Sequence, residues 1–598
     1  MSPNSNLVER PSAPELPFPA DWITGNPREV EKLLSRMSVA EQARCIMLYR
    51  GKEQQDLLLL SNHAVQVTHA LPPEEIYHMI KVIGREEALP VLSLASEDQL
   101  QFMFDMEWWS GDRFQPQRAL EWLSLLDKCE EPKALEWFLT EEFDQKVMLM
   151  QAFIKVFKRD EMTDSYEGTE ELVHFTPDGV YDIFFKIQDY DAVKKLLMLL
   201  RSEQPEVFFS LMEAVIWYPL TQTVEKAYHW RMSRTSERGI PDLEEALGVY
   251  SPLSAESLKL ETLDPDDYVF EDHLQVPPQY LIAQADPSTF LGHCVPLIKN
   301  ARRLDAIRWE LVCLANKVMV ADRRDPASLE HAERVFRKVL GYINIGLELS
   351  AEGDLRKGAG LLERTWMQFL FQAGYQRVMT LKWQAEKLLK EHGGFLDFLL
   401  TAAEKDQIGA MVYRFPQLRE WVEMDETLKW RDFASVEDIL LADHFLKRWV
   451  FHVRFSKHAL DLTERTMQQY LEDCDFPDNK ESMDLVTWVT TALARFLLFK
   501  EISCAPLAEA AAKSFLEIIF LPKIFQGDSK VCNEEIIQSF QERLLQIPMA
   551  WTGDDRSFLQ GLLAECVRNL EQQFAGVNPK GEIQWQYTRG LCVRVRIH

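Results

Sequence analysis

"LPPEEIYHMIKVIGREEALPVLSLASEDQLQFMFDMEWW", from Leu71 to Trp109, decides the fold. Ile76, Ile80 and Ile83 fall on one helical face, Leu89 and Leu92 on a second, and Leu100, Met103, Phe104 and Trp108 on a third. Three short amphipathic helices follow directly on one another. A helix shorter than about twelve residues is not held by propensity, so each must bury its apolar face against another element.

The same triplet recurs upstream, around Val30 to Met37, Cys45 to Leu48 and Leu57 to Leu60. A third copy opens with Leu120, Leu123 and Leu126, continues through Ala134, Leu135, Phe138 and Leu139, and ends with Val147, Met150, Ile154 and Phe157. After an insertion, "KRDEMTDSYEGTEELVHFTPDG" (Lys158 to Gly179), a fourth runs through Ile183 and Ile187, then Val193, Leu196 and Leu200, then Leu211 and Val215. The first three copies are spaced by roughly forty-five residues, the range of helical solenoid repeats. The expectation is an all-α protein whose N-terminal part is a superhelical stack of short helix triplets.

That region closes with "YHWRMSRTSERGIPDLEEALGVYSPL" (Tyr228 to Leu253). Here Gly239 ends one helix in the left-handed conformation, and Asp242 with Glu245 has capping-box spacing for the next. An acidic, proline-marked stretch follows, then longer helices over Leu304 to Val320, Ala327 to Gly346 and Leu355 to Tyr375. "YINIGLELSAEGDLRKGAGLLERTWMQFLF" (Tyr342 to Phe371) has a partial tetratricopeptide look, with Gly346, Gly353 and Gly358 at small-residue positions. Strand signals are almost absent until "IQWQYTRGLCVRVRIH", whose alternation about Arg589 and Gly590 suggests a small hairpin. The expected division is a proline-rich arm over 1–21, a helical-repeat domain over 22–253, an acidic linker over 254–279, a helical domain over 280–582 and a hairpin tail over 583–598.

Composition narrows the function. Against 66 Lys and Arg stand 94 Asp and Glu, a net charge of −28 that repels phosphate backbones, so nucleic acid is not an expected partner. Small basic clusters such as "KNARRLDAIR" (Lys299 to Arg308) read as solvated helix faces. Nine cysteines without a CxxC pair suggest neither a disulfide framework nor a zinc ribbon, and fit a reducing compartment. The most membrane-like segment, "LVTWVTTALARFLLF" (Leu485 to Phe499), falls short of the roughly twenty apolar residues of a span and carries Arg495. With no secretory signal at the N-terminus, a cytoplasmic location is expected.

Catalytic signatures fail on inspection. "GDLRKGAG" (Gly353 to Gly360) has P-loop glycine spacing, but Ala359 and Gly360 stand where a lysine and a hydroxyl are required. His444, His452 and His458 do not place two ligands four residues apart on one helix face. The best candidate for local chemistry is the acidic run Asp264, Asp266, Asp267, Glu271 and Asp272, followed by His273, since clustered carboxylates hold Mg²⁺ or Ca²⁺. Val269 occupies the position where an EF-hand needs glycine, so a solvated linker is the competing reading.

The triplets of 30–217, the "WRMSRTSERGIPDLEEALGVY" block (Trp230 to Tyr250) and the "YINIGLELSAEGD" block (Tyr342 to Asp354) resemble an uncharacterised family of bacterial helical proteins over most of the chain. That resemblance implies no activity and no site residues. "LPPEEIYHMIKVIGREEALPVLSLASEDQL" is in addition similar to the cytosolic N-terminal superhelix of MgtE-type magnesium channels, which implies a regulatory helical module. The favoured expectation is a non-catalytic scaffold that holds a protein partner, without a cofactor. The alternative is a regulatory module that senses a divalent cation or a small ligand, and an enzyme of unrecognised type stands third.

Overall fold

The computed structural model describes residues 17–129, 132–159, 166–253, 277–422, 427–474, 483–521, 531–585 and 590–594. Two compact units divide the chain, Met1–Tyr375 and Gln376–His598. Most described residues are α-helical, with a few short strands.

In the first unit the short helices start where the sequence offers a cap or a proline. Ser38 forms a reciprocal capping box with Glu41, and Ser96 one with Gln99. Pro73, Pro116 and Pro205 each open a helix, where a missing N–H costs nothing. Each helix then packs on the one two places along, in two interleaved rows. Val39–Ile46 packs on Ala64–Ala70, which packs on Leu89–Leu94, which packs on Pro116–Leu126. Gly51–Leu59, Pro73–Ile83, Glu97–Glu107 and Lys133–Thr140 make the second row. The apolar faces of the Leu71 to Trp109 stretch are therefore covered by alternate neighbours, and not by one triplet laid on another. Phe104 stacks on Trp108 at 4.2 Å and meets Trp137 edge-on at 4.8 Å, with Trp122 closing the cluster.

Two sequence expectations fail locally. Ile154 and Phe157 do not extend the third triplet, because the helix stops at Phe153 and Ile154–Lys158 turns into a strand. Ile183 likewise lies in the strand Tyr181–Phe185, a β-branched and aromatic run that fits a pleated surface. Together with Val173–Phe175 from the expected insertion they form a three-stranded antiparallel sheet, in which Ile154 pairs with Phe185 and Val156 with Ile183.

Residues 277–375, expected to open a second half, belong to the first unit. Their anchor is Glu75, a buried carboxylate that accepts from the backbone N–H groups of Gln279 and Tyr280 and from Gln54 Nε2. The expected long helices are observed as Ala301–Ala321, Leu329–Ala351, Leu355–Arg364 and Met367–Leu396. Leu329–Ala351 and Met367–Leu396 cross at Gly346 and Gly374 with backbone against backbone. A Cβ on Gly346 would lie 1.9 Å from the Leu370 carbonyl oxygen, and one on Gly374 2.0 Å from that of Tyr342. "GDLRKGAG" is the start of a helix, with the Asp354 carboxylate accepting from the N–H groups of Arg356 and Lys357.

In the second unit Leu485–Phe499 packs against Glu509–Ile519, Glu534–Leu545 and Gly553–Phe574. A hairpin that the sequence reading missed, Gln417–Val422 with Thr427–Asp432, precedes Val436–His458. Its Arg431 grips Asp438 through both guanidinium nitrogens at 2.6 and 2.7 Å, in the first turn of that helix. At the C-terminus Val593–Arg594 pairs in parallel with Leu507–Ala508, and Arg594 reaches Asp473 at 3.0 Å. Val593 and Arg594 are thus docked on their own unit; the expected turn at Arg589 lies outside the described residues. Among the described residues no helix is long and apolar enough to cross a membrane. All nine cysteines are free.

Gly346→Ala and Gly374→Ala should each destabilise the protein by about 1–3 kcal/mol, since the helices must part to admit a methyl group. Gly561→Ala, mid-helix with nothing within 4 Å of its added carbon, should gain up to about 1 kcal/mol. Urea denaturation of the three variants measures both signs.

Candidate functional site

The polar face of Pro73–Ile83 is as regular as its apolar one. Glu74, Tyr77, His78 and Lys81 step by three, one and three residues and so share a side of the helix. This side lines a cavity of about 750 Å³ within the first unit. Three more helices present faces of the same phase. Leu220–Glu237 contributes Tyr228, Arg231, Met232 and Thr235; the Ala301–Ala321 helix and the residues just beyond it contribute Asn316, Met319, Val320 and Arg323. Leu329–Ala351 adds Leu329, Ala332 and Phe336. Phe102 and Met106 complete one wall, and Tyr280 another.

Ion pairs fix the orientation of these helices. Arg234 holds Asp105 through two hydrogen bonds of 2.9 and 2.8 Å and also reaches Glu141, which joins Leu220–Glu237 to Glu97–Glu107. One turn earlier, Arg231 donates to the Asp105 carbonyl oxygen and lies over the Trp109 ring. At the helix end Gly239 has φ +73°, and a Cβ there would meet Cys313 Sγ at 2.5 Å, so this glycine lets the chain pass close to Ala301–Ala321. Asp242 caps the following helix by accepting from the Glu245 N–H. The loop after Ala321 is tied on three sides: Arg118 pairs with Asp325 at 2.8 Å, Tyr77 Oη lies 3.0 Å from the Pro326 carbonyl oxygen, and Lys81 donates to that of Ala327. Within this loop Arg323 takes a left-handed φ of 53°. For an arginine that conformation is uncommon and is held by its surroundings.

Most polar groups of the wall serve the protein itself. Lys81 and Tyr77 are engaged by Glu107, and Asp325 by Arg118 and the Ala327 N–H. Two others each carry one buried atom without a hydrogen-bond partner among the described residues. Glu74 is 4% exposed; Arg238 stands 3.6 Å from its Oε1, and its Oε2 accepts no hydrogen bond. Asn316 Nδ2 is a buried donor without an acceptor. Burial raises the Glu74 carboxyl above its usual range, partly offset by Arg238. Burial also lowers the His78 imidazole to about 4, so the ring that stacks on Tyr280 at 4.7 Å is neutral at pH 7.

His444, His452 and His458 do not line this cavity. Asp264, Asp266, Asp267, Glu271, Asp272 and His273 fall outside the described residues. Among the described residues no group of three His, Cys, Asp or Glu is arranged to hold a metal. His444, His452 and His458 share Val436–His458 but separate: His444 packs on Phe558, His452 is buried beside Glu404 and Arg448, and His458 faces an open groove. The cavity residues were missed because only apolar periodicity was followed; the Glu74, Tyr77, His78, Lys81 spacing was the available signal.

These features define a mainly α-helical protein with a partly polar cavity enclosed by four helix faces. The chain belongs to a family of unknown function (DUF6178), whose model matches residues 31–594. No curated protein and no solved structure matches it, MgtE-type channels included.

The His78 shift has a pH signature. The unfolded chain takes up this proton near 6.5 and the folded one only near 4, so the His78 contribution to stability is lost as pH drops from about 6.5 toward 4, opposed by that of Glu141, whose carboxyl burial raises to about 7. His452 in the second unit has the same lowered value. His78→Gln should therefore remove only part of the decline in urea midpoint between pH 7 and pH 5, and His78→Gln with His452→Gln more of it.

Proposed function

We propose that the first unit is a binding module for a small organic ligand, the small-ligand branch of the sensing alternative. The observation that carries this reading is the pair of unpartnered polar atoms, Glu74 Oε2 and Asn316 Nδ2, set in a cavity whose wall combines aromatic and aliphatic side chains with charged ones. An unmade hydrogen bond on a buried group costs about 1–3 kcal/mol, and a ligand that supplies the partner recovers it. About 750 Å³ lies within the range of small-molecule sites.

The partner-holding scaffold keeps one specific observation in its favour. Trp217, Tyr218 and Leu220, around Pro219, are exposed at 69, 44 and 52% accessibility, at the junction of two helices of the first unit. Trp217→Ala with Leu220→Ala should abolish recovery of such a partner in a pull-down while the cavity is unaltered.

Ala332→Trp tests the ligand reading. The new ring enters the cavity from a half-buried position, so the melting temperature should stay within a few degrees of the parent. Small molecules released by denaturing the purified protein and read by mass spectrometry should include a species present with the parent and lost with the variant. Identical profiles overturn the reading.

A further inference from the structure

The cavity has chemically distinct ends. Its inner end is marked by Glu74, 4% exposed, whose Oε2 is an acceptor without a donor, and by Asn316 Nδ2, a donor without an acceptor. His78, Tyr280 and Phe336 form a continuous aromatic wall, with ring centroids 4.7 Å apart for His78 and Tyr280 and 5.5 Å for Tyr280 and Phe336. At the outer end stand Arg323, exposed, and Arg324, half-buried.

The four cations of the wall are not equivalent. Lys81 is spent on Glu107 and the Ala327 carbonyl, and Arg231 on the carbonyl oxygens of Asp105 and Gly111. The side chains of Arg323 and Arg324 engage no acid, carbonyl or ring among the described residues, although their backbone N–H groups bond to Val320 and Met319. Of the four acids on the same wall, Asp325 pairs with Arg118 and Glu74 stands beside Arg238, Asp242 accepts from the Glu245 N–H, and none of these three is engaged by Arg323 or Arg324. Two guanidinium groups not spent on the frame, side by side at one end of a cavity, offer an anion a docking point.

We infer that the cavity takes a planar heteroaromatic molecule with a ring N–H donor and an anionic tail. The ring lies against His78, Tyr280 and Phe336, its N–H donates to Glu74 Oε2, and the tail meets Arg323 and Arg324, while a ring acceptor, present in guanine and absent from indole, adds a hydrogen bond from Asn316 Nδ2. A guanidinium pairs with a carboxylate or a phosphate through the same fork. The inference rests on the ligand-binding reading above and adds the chemistry of the ligand to it.

Isothermal titration of the full chain with five probes separates the possibilities. Indole-3-acetate and guanosine 5′-monophosphate carry the carboxylate and phosphate tails; indole-3-acetamide and guanosine are their uncharged counterparts, and free indole is a ring alone. At least one anionic probe should bind, tenfold or more tighter than its uncharged counterpart, and which one binds identifies the anion. Arg323→Gln with Arg324→Gln, both away from the core, should abolish that tenfold preference and leave the melting temperature unchanged. Glu74→Gln should weaken the bound probe tenfold or more, and 1-methylindole-3-acetate, which lacks the N–H, should bind the parent as weakly as indole-3-acetate binds this variant. Equal affinity for charged and uncharged probes, or a preference that survives loss of both arginines, overturns the inference. Binding of indole alone also overturns it while leaving the ligand-binding reading intact; if no probe binds and no species is released from the denatured parent, both fall.

Discussion

The carboxylate of Glu75 is deep in the first unit and receives three hydrogen bonds: one from Gln54 and two from the backbone at Gln279 and Tyr280. Those two N–H groups belong to chain that resumes some two hundred positions later. A buried carboxylate is tolerable only when its lone pairs are occupied, so the contact fixes where residues 279 and 280 lie. Tyr280 is thereby set against His78, and the helices that follow are delivered to the open side of Pro73–Ile83. Tyr280's part of the cavity wall rests on this contact.

Adjacent residues on one helical turn divide the labour. Glu75 turns inward and is satisfied by the protein, whereas Glu74 faces the cavity with one oxygen engaged at a distance by Arg238 and the other by nothing. The same division runs through the wall: Lys81, Tyr77, Arg231 and Asp325 hold the helices in place, while Asn316, Arg323 and Arg324 face the space they enclose. Groups that build the frame are paired, and groups that remain unpaired converge. Such a distribution follows from the cost of isolating polar atoms, since a purely structural wall would have been more stable with apolar residues in their place.

Much of the architecture was legible in the sequence. Helices repeat an apolar face every three to four residues, and Ile76, Ile80, Leu100 and Met103 do become core. Register with neighbours was not legible, because apolar spacing says that a face is buried but not by which element; hence packing on alternate helices was missed. The strands at Ile154–Lys158 and Tyr181–Phe185 were lost for a related reason, since short apolar runs satisfy both periodicities and only their β-branched and aromatic content separates them. The link from Glu75 to Gln279 was invisible for want of any local signal. Of the site, Glu74, Tyr77, His78 and Lys81 lay in the open as a helical spacing; Arg323 and Arg324 looked like ordinary surface charge.

Because four helices meet the cavity through faces of common phase, their angular setting about their own axes is what defines its chemistry. An α-helix advances about 100° per residue, so one residue inserted before Arg231 in Leu220–Glu237 would carry Arg231, Met232 and Thr235 more than a quarter turn away and bring their neighbours round instead. The helices of this wall are therefore the parts of the chain where an insertion rewrites specificity without touching a single lining residue's identity.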